Sequence, residues 1–216
     1  MSKLFRPTVV GIIHRSEGLP ELKPALERER KRIEQKLSRL PKNVVVGVEL
    51  VPKTLDRLRK GFQSKEPELF EYAALAAMAN GLRVVPLEQT ARHYRANTIV
   101  DQVKKLALSG KSNAAIDPEI LRLSRKLVVN GWLRSVSMGE AILKQGCRVS
   151  FVGESHARHL QASPEHFEFE NTPEKHLEMH PESHDLGIFS LPKYRGMKER
   201  LERIMVARLA VGKKSK

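Results

Sequence analysis

Aromatic side chains, cysteines and long apolar runs are all scarce in this chain of 216 residues. Aromatic residues make up 5% of it, with one Trp, so the stacking platforms that hold single-stranded nucleic acid are poorly provided. One cysteine, Cys147, excludes an internal disulfide framework and a cysteine-rich zinc module, as is typical of a reducing compartment. No stretch approaches the ~18 apolar residues of a membrane span. We therefore expect a cytoplasmic protein.

Acidic residues are also outnumbered, with 25 Asp and Glu against 39 Lys and Arg, which gives a formal charge of +14. Residues 193–216 contain nine Lys or Arg and two Glu, so this segment holds half of the excess. Such a balance predicts attraction to anionic partners. We expect a basic C-terminal helix and tail that could contact nucleic acid or an anionic surface weakly, although solubility alone explains many basic tails.

Short apolar runs alternate with segments of helical periodicity along the chain. The runs predict four buried strands, at residues 8–13, 44–48, 82–87 and 147–152. A fifth strand is predicted near Phe167 to Phe169 or Leu186 to Leu191. Strands separated by helices favour right-handed crossovers and an α/β fold with a mostly parallel central sheet.

The segments between the strands predict helices at residues 21–40, 52–60 and 66–80. Residues 89–146 form a largely helical insertion before the last core strand, in which Asp117-Pro118 is expected to begin a helix. Gly131 and Gly146 are expected to end helices there. We expect a single α/β domain over residues 1–192 that is followed by the basic C-terminal segment.

All four predicted strands are followed by a polar residue at or near the carboxyl end. These residues are His14, Glu49, Glu88 and His156. Ligands bind beyond the carboxyl ends of strands in open parallel sheets, because loops and helix N-termini leave from that edge. One such residue is usually a solvated strand end, but four together predict a functional site. Both histidines lie in Gly-x-x-His turns, where Gly11 and Gly153 permit a sharp turn and a close approach of ligand.

Two imidazoles and two carboxylates form a set that can bind a divalent metal with positions left open for water. Metal-bound water ionises near neutral pH, and a spare carboxylate could act as the general base. A histidine and a glutamate can also move protons without a metal. The pattern is compatible with both chemistries.

Three short motifs resemble the TraB, GumN and Tiki superfamily, which is related in fold to erythromycin esterase and the haem-binding ChaN proteins. They are Gly11-Ile12-Ile13-His14, Val48-Glu49-Leu50 and Gly153-Glu154-Ser155-His156. The superfamily pattern is a Gly-x-x-His on the first strand, a Glu at the end of the second and a late Gly-x-x-His. The order and the strand context of all three motifs agree with it, whereas the absence of a membrane anchor departs from it.

The resemblance implies metal-dependent chemistry of the peptidase kind, as in the Tiki branch. It carries over His14, Glu49 and His156 as ligands of a divalent metal such as Mn, Co or Zn. It also implies accompanying basic residues, for which the candidates are Arg57, Arg59 and Arg92. With Glu88 assisting, we expect a hydrolase of peptide or ester bonds. The alternative is a protein that binds a metal, haem or small anion in the same pocket without turnover.

Two further groups of histidines have less specific patterns. His156 and His159 could share a metal on a helix, but a histidine at the second position more often covers the surface. His176, His180 and His184 recur at intervals of four, but Pro181 interrupts that helix, which favours a polar loop.

The segment Arg92-His93-Tyr94-Arg95 could grip a phosphate or a carboxylate, and an ordinary helix surface explains it almost as well. Neither the Gly-x-Ser-x-Gly elbow nor the phosphate-loop pattern occurs, which disfavours ordinary serine esterases and nucleotide hydrolases of the phosphate-loop type.

Overall fold

Five strands form one parallel sheet in the computed structural model, which describes residues 5–12, 23–62, 67–107, 113–170 and 196–212. The strands are β1 (Thr8–Ile12), β2 (Val45–Val48), β3 (Arg83–Pro86), β4 (Val149–Gly153) and β5 (Glu168–Glu170). Their order across the sheet is β3-β2-β4-β1-β5, and every neighbouring pair is parallel. The predicted α/β fold with a parallel sheet is confirmed.

Seven helices are present in the described ranges. They are α1 (Lys23–Ser38), α2 (Pro52–Arg59), α3 (Leu69–Ala79), α4 (Thr90–Ala107), α5 (Asn113–Gln145), α6 (Glu154–Leu160) and α7 (Met197–Gly212). Most of the predicted helices lie within a few residues of these bounds. In this part of the chain no helix is both long enough and apolar enough to cross a membrane.

Helices cover both faces of the sheet. Successive strand side chains point to opposite faces. On β4, Phe151 therefore packs into a core with α1, α2 and α3, while Val152 packs into a second core with α5, α6 and α7. A sheet that is buried on both sides explains why its strands are unbroken apolar runs and do not alternate with polar residues.

The long helix α5 differs from the prediction. It runs without a break from Asn113 to Gln145, through both Pro118 and Gly131, so neither residue begins or ends a helix. Proline near the start of a helix removes only one intrahelical bond, and an internal glycine costs about 1 kcal/mol. The buried face of α5, which contributes Trp132 and Val136 to the core, outweighs both costs. Gly146, with a φ of 64°, lies just beyond the C-terminus as predicted.

The strand register brings the carboxyl ends of four neighbouring strands to one edge. Val48 on β2 pairs with Phe151 on β4 and with Pro86 on β3, and Ile12 on β1 pairs with Gly153 on β4. The next residue after β2, Glu49, still donates its backbone N–H to the Phe151 carbonyl at 2.9 Å. Polar residues that follow these strands therefore emerge side by side.

Candidate functional site

Glu49 and Glu88 are buried at this edge and are joined by Arg134 of α5. The side chains of both glutamates are 2% exposed and that of Arg134 is 16% exposed. Arg134 Nε donates to Glu88 Oε2 at 3.0 Å, and its Nη2 donates to Glu49 Oε1 at 3.1 Å and also to Glu88 Oε2. One guanidinium thus binds carboxylates from two adjacent strands.

Electrostatics explain why Arg134 is needed there. Two buried carboxylates repel each other, and each pays a desolvation cost that a shared cation offsets. Burial by itself lowers the pKa of Arg134, but the hydrogen bond to Glu88 and the charges of Glu49 and Glu88 outweigh it and raise the pKa above its ordinary value. Arg134 is therefore a permanent cation at this site.

His156 lies on the other side of the Glu49 carboxylate. Its Nε2 is 3.5 Å from Glu49 Oε1, and its side chain is 6% exposed. The second oxygen, Oε2, accepts the backbone N–H of Gly153 at 2.6 Å. Gly153 ends β4 and precedes α6, on which His156 is the third residue. Glu49 therefore connects β2 to β4, to α6 and, through Arg134, to α5.

The hydroxyl of Ser135, next to Arg134 on α5, bridges two imidazoles. Its Oγ is 2.7 Å from His156 Nδ1, 2.8 Å from His159 Nδ1 and 3.0 Å from the Gly131 carbonyl. A hydroxyl has one proton to donate, and a carbonyl can only accept. The Gly131 carbonyl takes that proton, so both rings must donate to the hydroxyl oxygen through a protonated Nδ1, which fixes the tautomer or charge of each.

His159 is part of the interior, contrary to the expectation that it covers the surface. It is 8% exposed and stacks on Trp132, with ring centroids 4.1 Å apart and planes inclined by 22°. Its Nδ1 and that of His156 share the Ser135 hydroxyl, and the two rings lie edge to face with centroids 6.1 Å apart. His159 thus supports the orientation of His156.

Two of the three predicted metal ligands are brought together. In a tetrahedral site with bonds of about 2.1 Å, two ligand atoms lie about 3.4 Å apart. The distance of 3.5 Å between His156 Nε2 and Glu49 Oε1 fits this separation. Arg134 binds the same oxygen, so a metal would share Glu49 with a cation.

The third predicted ligand, His14, lies outside the described residues, as do His176, His180 and His184. Within the ranges that the structure describes, no group of three or more His, Cys, Asp or Glu side chains is arranged to hold a metal ion. The described residues thus supply two ligand positions of the predicted site.

The basic residues expected beside Glu49 have other positions or partners. Arg57 is exposed on α2, and Arg59 donates to the Val84 carbonyl at 2.8 Å. Arg92 is partly buried on α4, where its Nε donates to Gln89 Oε1 at 3.1 Å. The arginine that contacts both glutamates is Arg134.

Sequence reasoning missed Arg134, although a signal for it exists. It is the only charged residue between positions 127 and 139, in a helical segment that is mostly apolar. A lone charge on a helix that must pack on a sheet indicates a buried partner of opposite charge.

Comparisons with family models, with curated proteins and with solved structures gave no match to this chain. The resemblance to the TraB, GumN and Tiki proteins therefore stays a prediction that rests on short motifs.

Proposed function

We propose that this chain is a hydrolase of the TraB and Tiki type, which cleaves peptide or ester bonds at the carboxyl edge of its sheet. The observation that supports it is the buried contact of 3.5 Å between His156 and Glu49 beside a second carboxylate, Glu88. Buried ionisable groups that meet at strand ends of a parallel sheet are typical of catalytic sites.

Glu49 and His156, with His14 as the third ligand, would hold a divalent metal. Such a metal would supply a water that ionises near neutral pH, and the metal itself would polarise the carbonyl to be cleaved. The Gly153 N–H and Arg134 fix the direction of the Glu49 carboxylate. Ser135 holds the His156 ring, as outer hydrogen bonds commonly do for metal-binding imidazoles.

Glu88 is the proposed general base. Its Oε2 is bonded to Arg134, whereas its Oε1 is buried and has no hydrogen-bond partner among the described residues. A buried acceptor of this kind is costly for the fold and suits a group that takes a proton from a reacting water. Glu88 then returns this proton to the leaving group.

The test is hydrolysis of a peptide and ester library by the purified chain with Mn²⁺, Co²⁺ or Zn²⁺ added in turn. Glu88→Gln should lower kcat by about 100-fold or more while the protein still binds metal. His156→Ala should lose metal and activity together. Glu27→Gln, an exposed change on α1, is the matched control. Full activity in Glu88→Gln, or turnover that metal removal leaves unchanged, contradicts the proposal.

A second candidate is a protein that binds a metal, haem or small anion without turnover. It is favoured by how enclosed the site is, since both glutamate side chains are 2% exposed and Glu49 is bonded on both oxygens. In that case His156→Ala abolishes ligand binding, and no member of the library is hydrolysed under any metal condition.

A further inference from the structure

A groove of about 870 Å³ lies between α4 and α5, and neither Glu49, Glu88 nor His156 lines it. This volume is within the range of about 300–1,000 Å³ that is usual for small-molecule sites. Its lining combines positive charge, an apolar surface and one buried amide. Each of these three features restricts the chemistry of a ligand.

Among the described residues that line the groove, four have basic side chains and none has an acidic one. They are Arg95 on α4 and Arg122, Arg125 and Lys126 on α5. Arg122 is bonded to Glu119, whereas no ion pair joins Arg95 or Lys126 to a carboxylate in the described ranges. Such a concentration of one charge attracts an anion.

The positive charge extends past the end of the groove toward Arg92. Burial lowers the pKa of Arg92 below its ordinary value, and the nearby charges of Arg208 and Arg95 lower it further. Glu140 and Glu88 act in the opposite direction without cancelling this effect. Arg95 therefore lies in a region where positive charge is in excess, which a bound anion would relieve.

The apolar part of the groove consists of Ile99, Val129 and Leu133, with Tyr94 at its edge. The side chain of Ile99 is buried, and Tyr94 is 54% exposed. An exposed phenol ring among the lining residues offers a flat surface on which a ring can stack. A ligand that fits has an apolar or aromatic body next to its charged group.

Asn130 supplies the most specific feature. Its Nδ2 donates to the Arg92 carbonyl at 3.3 Å, and because a carbonyl can only accept, the orientation of the amide is fixed. Its Oδ1 is buried, with the residue 4% exposed, and has no hydrogen-bond partner among the described residues. Buried acceptors are almost always paired, so a ligand that brings an N–H or O–H donor and displaces the side chains covering Oδ1 would satisfy it.

We propose that this groove binds a small organic phosphate of nucleotide size. Arg95 and Lys126 bind the phosphate, because guanidinium and ammonium groups both suit its oxygens. The body of the ligand packs on Ile99 and Leu133, and one of its N–H or O–H groups donates to Asn130 Oδ1 after the side chains that cover this atom move apart. A nucleoside monophosphate combines all three parts. This site is independent of the proposed hydrolase activity.

The experiment is calorimetric titration of the full chain with AMP, adenosine and inorganic phosphate. AMP should bind with one-to-one stoichiometry, and each fragment should bind about tenfold more weakly or worse. The double variant Arg95→Gln/Lys126→Gln should weaken AMP binding by about tenfold or more, because two charge-assisted bonds are lost. Arg28→Gln/Lys31→Gln, which removes the same charge from exposed positions on α1, should leave it within about twofold.

A second measurement locates the ligand. In a ¹⁵N correlation spectrum, AMP should shift the side-chain amide signals of Asn130, and inorganic phosphate should shift them much less. The proposal is overturned if AMP shows no saturable binding, if phosphate alone binds as well, or if both double variants lose the same affinity. Binding of a single-stranded oligonucleotide that Arg95→Gln/Lys126→Gln loses, with no binding of AMP, also overturns it, because the groove would then serve a nucleic acid.

Discussion

Arg122 and Arg134 lie on the same helix and both bind carboxylates, but their surroundings differ. Arg122 is 48% exposed and its partner, Glu119, is one helical turn away. Arg134 is 16% exposed, and its partners follow two different strands, 46 and 85 positions away in the sequence. Water can replace the partner of Arg122 at little cost, whereas nothing replaces Arg134 inside the protein. Burial therefore decides which of these similar contacts the fold depends on.

The largest effect should come from Arg134→Met, which keeps the length of the side chain but removes its charge. Two buried carboxylates are then left without their cation, a change that typically costs about 3–5 kcal/mol. The measurement is the free energy of unfolding in urea at neutral pH. If the free energy of unfolding fell by less than about 1 kcal/mol, the buried carboxylates of Glu49 and Glu88 would not need this cation, and burial would not explain the role of Arg134.

A smaller loss in the free energy of unfolding is expected from Ser135→Ala. The hydroxyl of Ser135 is compared here with that of Ser137, which is close to it on α5. Ser135 binds two imidazoles from α6, and its loss removes a buried hydrogen bond from each ring, at about 1–3 kcal/mol. Ser137 is also buried, but its hydroxyl donates only to the Leu133 carbonyl within the helix, at 3.0 Å. Ser137→Ala is therefore the matched control, and urea denaturation of both variants should separate them. Equal losses would mean that the bridge between the rings adds nothing.

Much of the fold follows from local sequence. The strands β1 to β4 are short apolar runs bounded by turns, and helical segments separate them, which fixes a parallel sheet. The order in which strands neighbour one another is not local. β4 lies between β2 and β1, and no pattern within β4 itself specifies these partners.

The residues of the candidate site also differ in how far local sequence predicts them. Glu49, Glu88 and His156 could be predicted, because each follows a recognisable strand and the ends of parallel strands share one edge. Arg134 and Ser135 come from the middle of a long helix, where sequence position does not tell which face reaches that edge. The contacts of Arg134 with Glu88 and of Ser135 with His156 therefore depend on how α5 packs on the sheet, which its sequence does not specify.

The smallest effect should come from Arg122→Met, and it tests the exposed half of the comparison. The hydrogen bond from Arg122 lowers the pKa of Glu119, so any stability it contributes is present above the ordinary pKa of a glutamate and lost as pH falls through the lowered value. Since water and salt screen both side chains, no measurable change in unfolding free energy is expected at neutral pH or across the acid range. If Arg122→Met lowered the free energy of unfolding as much as Arg134→Met does, exposure would not explain the difference between the two arginines.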